Sequence, residues 1–366
     1  MSRNFSKALL VLAGVGALGG MSAAVFAQPA HSGESAWLTR TSVTTANVAR
    51  QDDAPVALWW SANTTFDAQA DRPLTPLTKA RKVDVQVPSD ARGYVLLVGK
   101  DGQVRVVGER VLPLAQASNF RDIGGYTTRD GKVVRWGKVY RSGAQPMLTE
   151  ADLAYVDSLH LAAVVDLRSL EERQITPDTI DERTHALFVA NDYSLVKLMA
   201  GAAARKGENT YSGMEVMLAP QLRAIYRLIL MENGKPDGAV LYHCSAGQDR
   251  TGVATALLYD LLGVDRATIL ADYHLSTQLR RPDFEMADYD PADYPGNPIA
   301  KLFMEYRAAG RGKAEPLYTP SGASHLEQFF SYLDATYGGT QGFMKQVLGL
   351  RQDELDSLGT IMLDEA

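Results

Sequence analysis

The 366-residue chain predicts an α/β fold: a central, mainly parallel sheet flanked by helices and preceded by a small all-β domain. Three observations carry this. From residue 149 onward, helix-period runs alternate with short buried apolar runs, the pattern of a parallel sheet covered by helices. Residues 36–114 hold only strand-like runs and turn dipeptides, with no helical period. Between the apolar run 239–242 and the helical run 253–262, which Gly263 closes, lies the decapeptide His243, Cys244, Ser245, Ala246, Gly247, Gln248, Asp249, Arg250, Thr251, Gly252, a tight loop at the end of a buried strand.

In chain order, the first 27 residues have the form of an export leader: Arg3 and Lys7, an apolar stretch at 8–18, then small residues ending at Ala27. Cleavage there would begin the mature chain near Gln28 and, by removing two cations, would move the formal charge from −6 to −8. The apolar stretch is shorter than the roughly 20 residues of a membrane span, and no later run is long and uncharged enough to be one. The expected product is exported, in the periplasm or beyond, with no transmembrane segment.

About 340 mature residues allow two domains. Residues 36–114 form the smaller, with strands expected at 56–60, at 82–87 and at 94–98, the last turning at Asp101-Gly102 into 103–107. A small antiparallel β-sandwich is the expected form, with Trp59 and Trp60 in its core or at an interface, and the domain suggests a binding partner of its own. Residues 115–366 form the larger. Asp130-Gly131 marks a hairpin, and Thr149 with Asp152 caps a helix running to His160. A buried strand follows at 161–167, a strand at 185–189, a helix at 221–231 and a strand at 239–242. Residues 272–276 end a further helix, and 326–333 and 353–362 read as closing amphipathic helices. Residues 195–212 and 282–321 do not fit the sheet pattern and are candidate lids.

The decapeptide carries the chemistry. Ligands of parallel sheets bind beyond the carboxyl ends of the strands, where this loop lies. Five residues between Cys244 and Arg250 suffice for a loop that curls its backbone N–H groups inward at a helix start, a cradle for phosphate. Ser245, Ala246, Gly247, Gln248, Asp249 and Arg250 would line it. The same donors would stabilise a Cys244 thiolate beneath the anion. In phosphoryl transfer Cys244 is the nucleophile, Arg250 a planar fork for two equatorial oxygens, and Asp249 the general acid. Thr251 would donate its hydroxyl to sulfur as the intermediate breaks down, and His243 would hold the loop carbonyls.

These residues resemble those of the cysteine-dependent protein tyrosine phosphatase superfamily. A second set sharpens the resemblance: Asn119, Phe120, Arg121, Asp122, Ile123, Gly124, Gly125, Tyr126, then Val139 to Ser142, then Val165, Asp166, Leu167, Arg168, Ser169, then the cysteine loop. That order is similar to the bacterial tyrosine phosphatase family that includes the secreted mycobacterial and listerial lipid and protein phosphatases, and it runs from about Ser118 to the C-terminus. The resemblance implies an acid inside the loop, at Asp249, and lids near the pocket. Arg121, Asp122, Asp166 and Arg168 are either supporting site residues or an internal salt-bridge network. Gln248 stands where that family usually has lysine, a departure that favours singly phosphorylated phosphotyrosine substrates over phosphoinositides.

The expected substrate is a phosphotyrosine-bearing protein or a small phosphomonoester. An acidic balance gives no general basic face for nucleic acid. A single cysteine excludes an internal disulfide, and the histidines at 31, 160, 185, 243, 274 and 325 show no metal-ligand spacing, so neither metal nor other cofactor is expected. A sulfurtransferase also uses a cysteine loop, but Arg250-Thr251-Gly252 and the Asn119 segment argue against it. A phosphate-binding module without turnover would be expected to have lost Cys244, Asp249 or Arg250.

Overall fold

The structure is a computed structural model that describes residues 33–204, 209–231, 238–308 and 314–365. The leader-like segment and His31 lie outside the described residues.

Seven strands form the N-terminal unit: β1 (Ala36–Arg40), β2 (Thr45–Arg50), β3 (Val56–Ser61), β4 (Arg72–Thr78), β5 (Lys82–Gln86), β6 (Tyr94–Gly99) and β7 (Val104–Gly108). They make two antiparallel sheets, β1-β2-β5 and β4-β3-β6-β7. Leu38, Val48 and Val85 from the first meet Leu58, Trp60, Val95 and Leu97 from the second in one core, as expected of a small sandwich. Trp60 is buried, and Trp59 sets its ring edge-on to Phe66 at 5.2 Å. Strand β4 is not legible in the sequence because Pro73 and Pro76 interrupt its pattern; prolines fit only an edge strand, and β4 lies at the sheet edge with two register shifts against β3.

Buried arginines fasten this unit to the second. Arg92 donates from Nη2 to Asp122 Oδ2 at 2.7 Å, with both side chains buried. Arg110 pairs with Glu34 and lays its guanidinium 3.8 Å from the Tyr126 ring centre and 5.2 Å from that of Trp136.

The second unit opens with β8 (Arg121–Asp122), β9 (Val133–Val134) and β10 (Val139–Ser142), then α1 (Glu150–Asp157) and β11 (Leu161–Asp166). There follow α2 (Leu170–Ile175), α3 (Ile180–Thr184), β12 (Leu187–Ala190), α4 (Leu195–Ala204), α5 (Met214–Met217) and α6 (Ala219–Met231). The chain continues through β13 (Ala239–His243), α7 (Asp249–Leu261), α8 (Arg266–Leu279), α9 (Ala300–Ala308), α10 (His325–Tyr337), α11 (Thr340–Gln346), α12 (Gln352–Met362) and β14 (Leu363–Asp364). The central sheet has the order β12-β11-β13-β10-β8, parallel except for β8 at one edge. Strand β13 is central and buried on both faces, which is why it reads as an uninterrupted apolar run. Its Val240 and Tyr242 join α6, α7 and the C-terminal helices on one face, while Ala239 and Leu241 join α1 and α3 on the other.

Two expectations are corrected. The helix after the cysteine loop begins at Asp249 rather than at 253, so Asp249 to Gly252 form its first turn. Residues 272–276 lie within α8 rather than at its end. The two segments expected as lids carry helices that pack together: Leu195 and Leu198 of α4, Ile299, and Phe303 of α9 meet Ile175 of α2 in a small core of their own. No described helix is long and apolar enough to cross a membrane.

Candidate active site

The loop between β13 and α7 takes its shape from three supports. Gly247 has φ +62°, and a Cβ there would fall 2.5 Å from the backbone of Ser142, so only glycine fits under the neighbouring strand end. Asn119, itself left-handed at φ 55°, donates from Nδ2 to the Gly247 carbonyl at 2.7 Å and to the Ala246 carbonyl at 3.2 Å. Arg141, at the end of β10, donates to the same Gly247 carbonyl at 2.8 Å. Arg121 and Arg141 both pair with Asp272 of α8, and burial together with the Arg121 charge lowers the Arg141 guanidinium to about 10. The Ser245, Ala246 and Gly247 carbonyls are thus taken up from outside the loop, and the backbone N–H groups of residues 245–251 have no acceptor among the described residues. The start of α7 adds its partial positive charge.

Cys244, free and 2 % exposed, stands at the base of this cradle. Thr251, the third residue of α7, is fully buried with its hydroxyl unpartnered, available to a sulfur or phosphate oxygen. Arg250 is gripped by Glu172 of α2, whose two carboxylate oxygens each accept at 2.7 Å, from Nη1 and Nη2. Its Nη1 also donates to the Tyr193 hydroxyl at 2.7 Å. The Nε–H and the second Nη2–H remain for an incoming anion. Burial alone would raise Glu172, but the Arg250 charge and hydrogen bonds from Arg250 and Ser245 hold it at about 2. The carboxylate is therefore ionised and fixes the fork in one plane. A thiol, free amide donors and a braced guanidinium meet at one helix start, an arrangement chemically suited to holding a phosphate beside a nucleophile.

Residues 112–364 match the family described as the tyrosine phosphatase family. The chain belongs to the tyrosine phosphatase family. It is 30 % identical over 256 residues to a chain of Cupriavidus necator named among the tyrosine-protein phosphatases, covering 66 % of this chain and 86 % of that one. A tyrosine-protein phosphatase of Nostoc commune is 29 % identical over 224 residues, covering 58 % of this chain and 69 % of that one. The triple specificity protein phosphatase of Mycobacterium tuberculosis is 27 % identical over 291 residues, covering 69 % and 99 %.

Other residues singled out in this tyrosine phosphatase fall into different places. Asp249 is half-buried on the first turn of α7, its Oδ1 accepting from the Tyr211 hydroxyl at 2.5 Å. His243 is fully buried behind the loop, with Nδ1 3.4 Å from the Cys244 carbonyl and Nε2 2.9 Å from Asp178, so it faces away from the anion. Asp166 accepts three contacts of 2.7 to 3.0 Å from the Arg168 guanidinium and a fourth of 2.8 Å from its backbone N–H, and lies 3.9 Å from His243. Burial would raise Asp166, yet His243 and Arg168 bring it to about 2. It is an ionised brace for His243 and has no proton to offer at neutral pH. Asp122 is not brought to the loop at all: it accepts from Arg92, Gly124 N and Gly137 N. For Asp122, Asp166 and Arg168 the salt-bridge reading is the one the geometry favours.

Gln248 is only 3 % exposed; its Oε1 accepts from Arg280 Nη1 at 2.6 Å and its Nε2 donates to the Glu315 carbonyl at 3.0 Å. Glu172, Tyr193, Tyr211 and Arg280 escape a reading of the sequence alone. Of these only Glu172 carries a visible signal, and a misleading one, because Ser169 and Glu172 form a helix capping box.

Proposed function

We propose that the chain is an exported phosphomonoester hydrolase that works through a cysteinyl phosphate and acts on phosphotyrosine in preference to phosphoinositides. The observation that carries this reading is the Arg250–Glu172 fork seated beside Cys244 at the amide cradle. The Cys244 thiolate attacks phosphorus, forming the Sγ–P bond as the P–O bond breaks, and Asp249 gives its proton to the leaving oxygen. Water then attacks the same phosphorus, giving its proton back to Asp249, and the thiolate leaves as the Sγ–P bond breaks. Arg250 and the loop amides hold the equatorial oxygens as charge spreads over them.

The preference for phosphotyrosine rests on residue 248, an uncharged amide, and on Arg280, whose charge is largely taken up by Glu285 at 2.7 and 2.9 Å. Action outside the cytoplasm rests on the leader-like first 27 residues. The test is turnover of para-nitrophenyl phosphate and thiosulfate by the purified mature protein and by Cys244→Ser. Phosphate release by the wild type alone, with vanadate still bound by the variant, is the expected result. Phosphate release by Cys244→Ser at near the wild-type rate would overturn the mechanism, and turnover of thiosulfate instead would move the chain to the sulfurtransferases.

A further inference from the structure

Tyr211 belongs to neither the cysteine loop nor the central sheet. It sits between α4 and α5, is 1 % exposed, and is wedged edge-on against Phe329 of α10 and tilted against His325. Its hydroxyl donates to Asp249 Oδ1 at 2.5 Å and lies 2.6 Å from the Tyr273 hydroxyl of α8. A phenol has one proton to give. With that proton committed to Asp249, the second contact is made by the Tyr273 proton, and donation runs from Tyr273 to Tyr211 to Asp249. Burial and the Asp249 charge both push the Tyr211 hydroxyl well above the ordinary phenol range, which keeps it a neutral donor.

We propose that Tyr211 is a positioning residue for the general acid, fixing the Asp249 carboxyl and selecting Oδ2 as the oxygen that carries the transferred proton. This inference rests on the reading of Asp249 as the acid. An oxygen that already receives a hydrogen bond from a buried hydroxyl has no room for a proton of its own on that side. Oδ2, which has no partner among the described residues, is the one left to bear it and to face the leaving oxygen. As the proton departs, the carboxyl becomes a carboxylate and the bond from Tyr211 becomes charge-assisted. It is therefore stronger in the transition state than in the ground state, which is the condition for accelerating the step. Tyr273 and, just past the end of α8, Arg280 also feel the Asp249 charge. Neither makes a direct hydrogen bond to it.

The experiment uses aryl phosphates graded by leaving-group ability, from dinitrophenyl to phenyl phosphate, with wild type, Tyr211→Phe, Asp249→Asn and the double variant. Tyr211→Phe should lower kcat on phenyl phosphate by about 10- to 100-fold, the size of one charge-assisted hydrogen bond, and leave dinitrophenyl phosphate nearly unchanged. In the Asp249→Asn background it should cost nothing further. Equal losses on good and poor leaving groups, or an additional loss in the double variant, would overturn the assignment. If Asp249→Asn alone shows the leaving-group signature and Tyr211→Phe does not, the positioning role falls and the acid stands. If neither shows it, both fall. Tyr273→Phe, which removes the donor behind Tyr211, should give the same signature in weaker form and serves if Tyr211→Phe does not fold.

Discussion

The side-chain carbonyl of Gln248 accepts from the guanidinium of Arg280 at 2.6 Å, so the residue that distinguishes this loop is an anchor for a cation rather than a solvent-facing side chain. Arg280 also feels the charges of Cys244 and Asp249, and Glu285 clamps it. Releasing that clamp should free the cation for a second phosphate. Glu285→Gln is expected to raise kcat/KM on a soluble phosphoinositide several-fold relative to a phosphotyrosine peptide, and to steepen its salt dependence, since a contact of this kind is worth about 1 to 4 kcal/mol depending on screening. Gln248→Lys should raise the same ratio less, because its ammonium would stand against Arg280. Kinetics on both substrates at two ionic strengths measure this; an unchanged ratio in both variants would place the selectivity elsewhere.

Glu172 and Arg250 should fail in different ways. Glu172→Gln keeps the size of the side chain but loses the charge that aligns the fork; kcat/KM should fall by about 10²-fold, as expected when a catalytic group loses its alignment. Arg250→Lys cannot make the two-point contact with phosphate and should lose at least as much. It also reduces a two-point buried contact with Glu172 to a single one, so thermal unfolding should show a loss of about 1 to 3 kcal/mol. A mild kinetic effect of Arg250→Lys would argue for a different anion site.

Acid should weaken the fold around the site first. Asp166 and Glu172 both titrate near 2 in the folded chain, below the values near 4 that such groups have when unfolded. Their contribution is complete above about pH 4.5 and disappears as the pH falls toward 2, at about 2 to 3 kcal/mol each. Urea unfolding followed from pH 6 to pH 2 should show this slope, and Glu172→Gln should flatten it.

Arg92→Ala and Asp122→Asn should separate stability from chemistry. Each breaks a buried pair remote from the cradle, so each should destabilise by roughly 3 kcal/mol or more, while kcat measured on the folded fraction stays near wild type. A leaving-group-dependent loss in Asp122→Asn would restore it as a candidate acid.

Much of the catalytic unit is legible in the sequence because one-dimensional patterns report burial. Strand β13, buried on both faces, shows as an apolar run, and the Thr149–Asp152 cap of α1 shows as two residues at the right spacing. The start of α7 is hidden because Asp249, Thr251 and Gly252 are poor helix formers whose conformation is set by the loop. Helix α4 reads as an irregular insertion because apolar residues occur all round it, without the one-sided stripe that marks a surface helix. Tyr211 and Glu172 are out of reach for a different reason. Their roles depend on hydroxyl and carboxyl groups meeting partners 38 and 78 residues away, and no local period records that.

The arginine fastening has a further consequence for how the chain is made. Synthesis delivers the sandwich strands first, up to Gly108, with Arg92 already in place and its partner Asp122 not yet present. Tyr126 and Trp136, whose rings cover Arg110, come later still. A nascent sandwich that has reached β7 thus carries a guanidinium destined for burial with no counter-charge, and it is completed only by the hairpin that opens the catalytic unit. A cut in the connection after β7 would therefore leave Arg92 without Asp122, and a cut placed later would take strands from the central sheet, so the two units are not separable as interchangeable pieces.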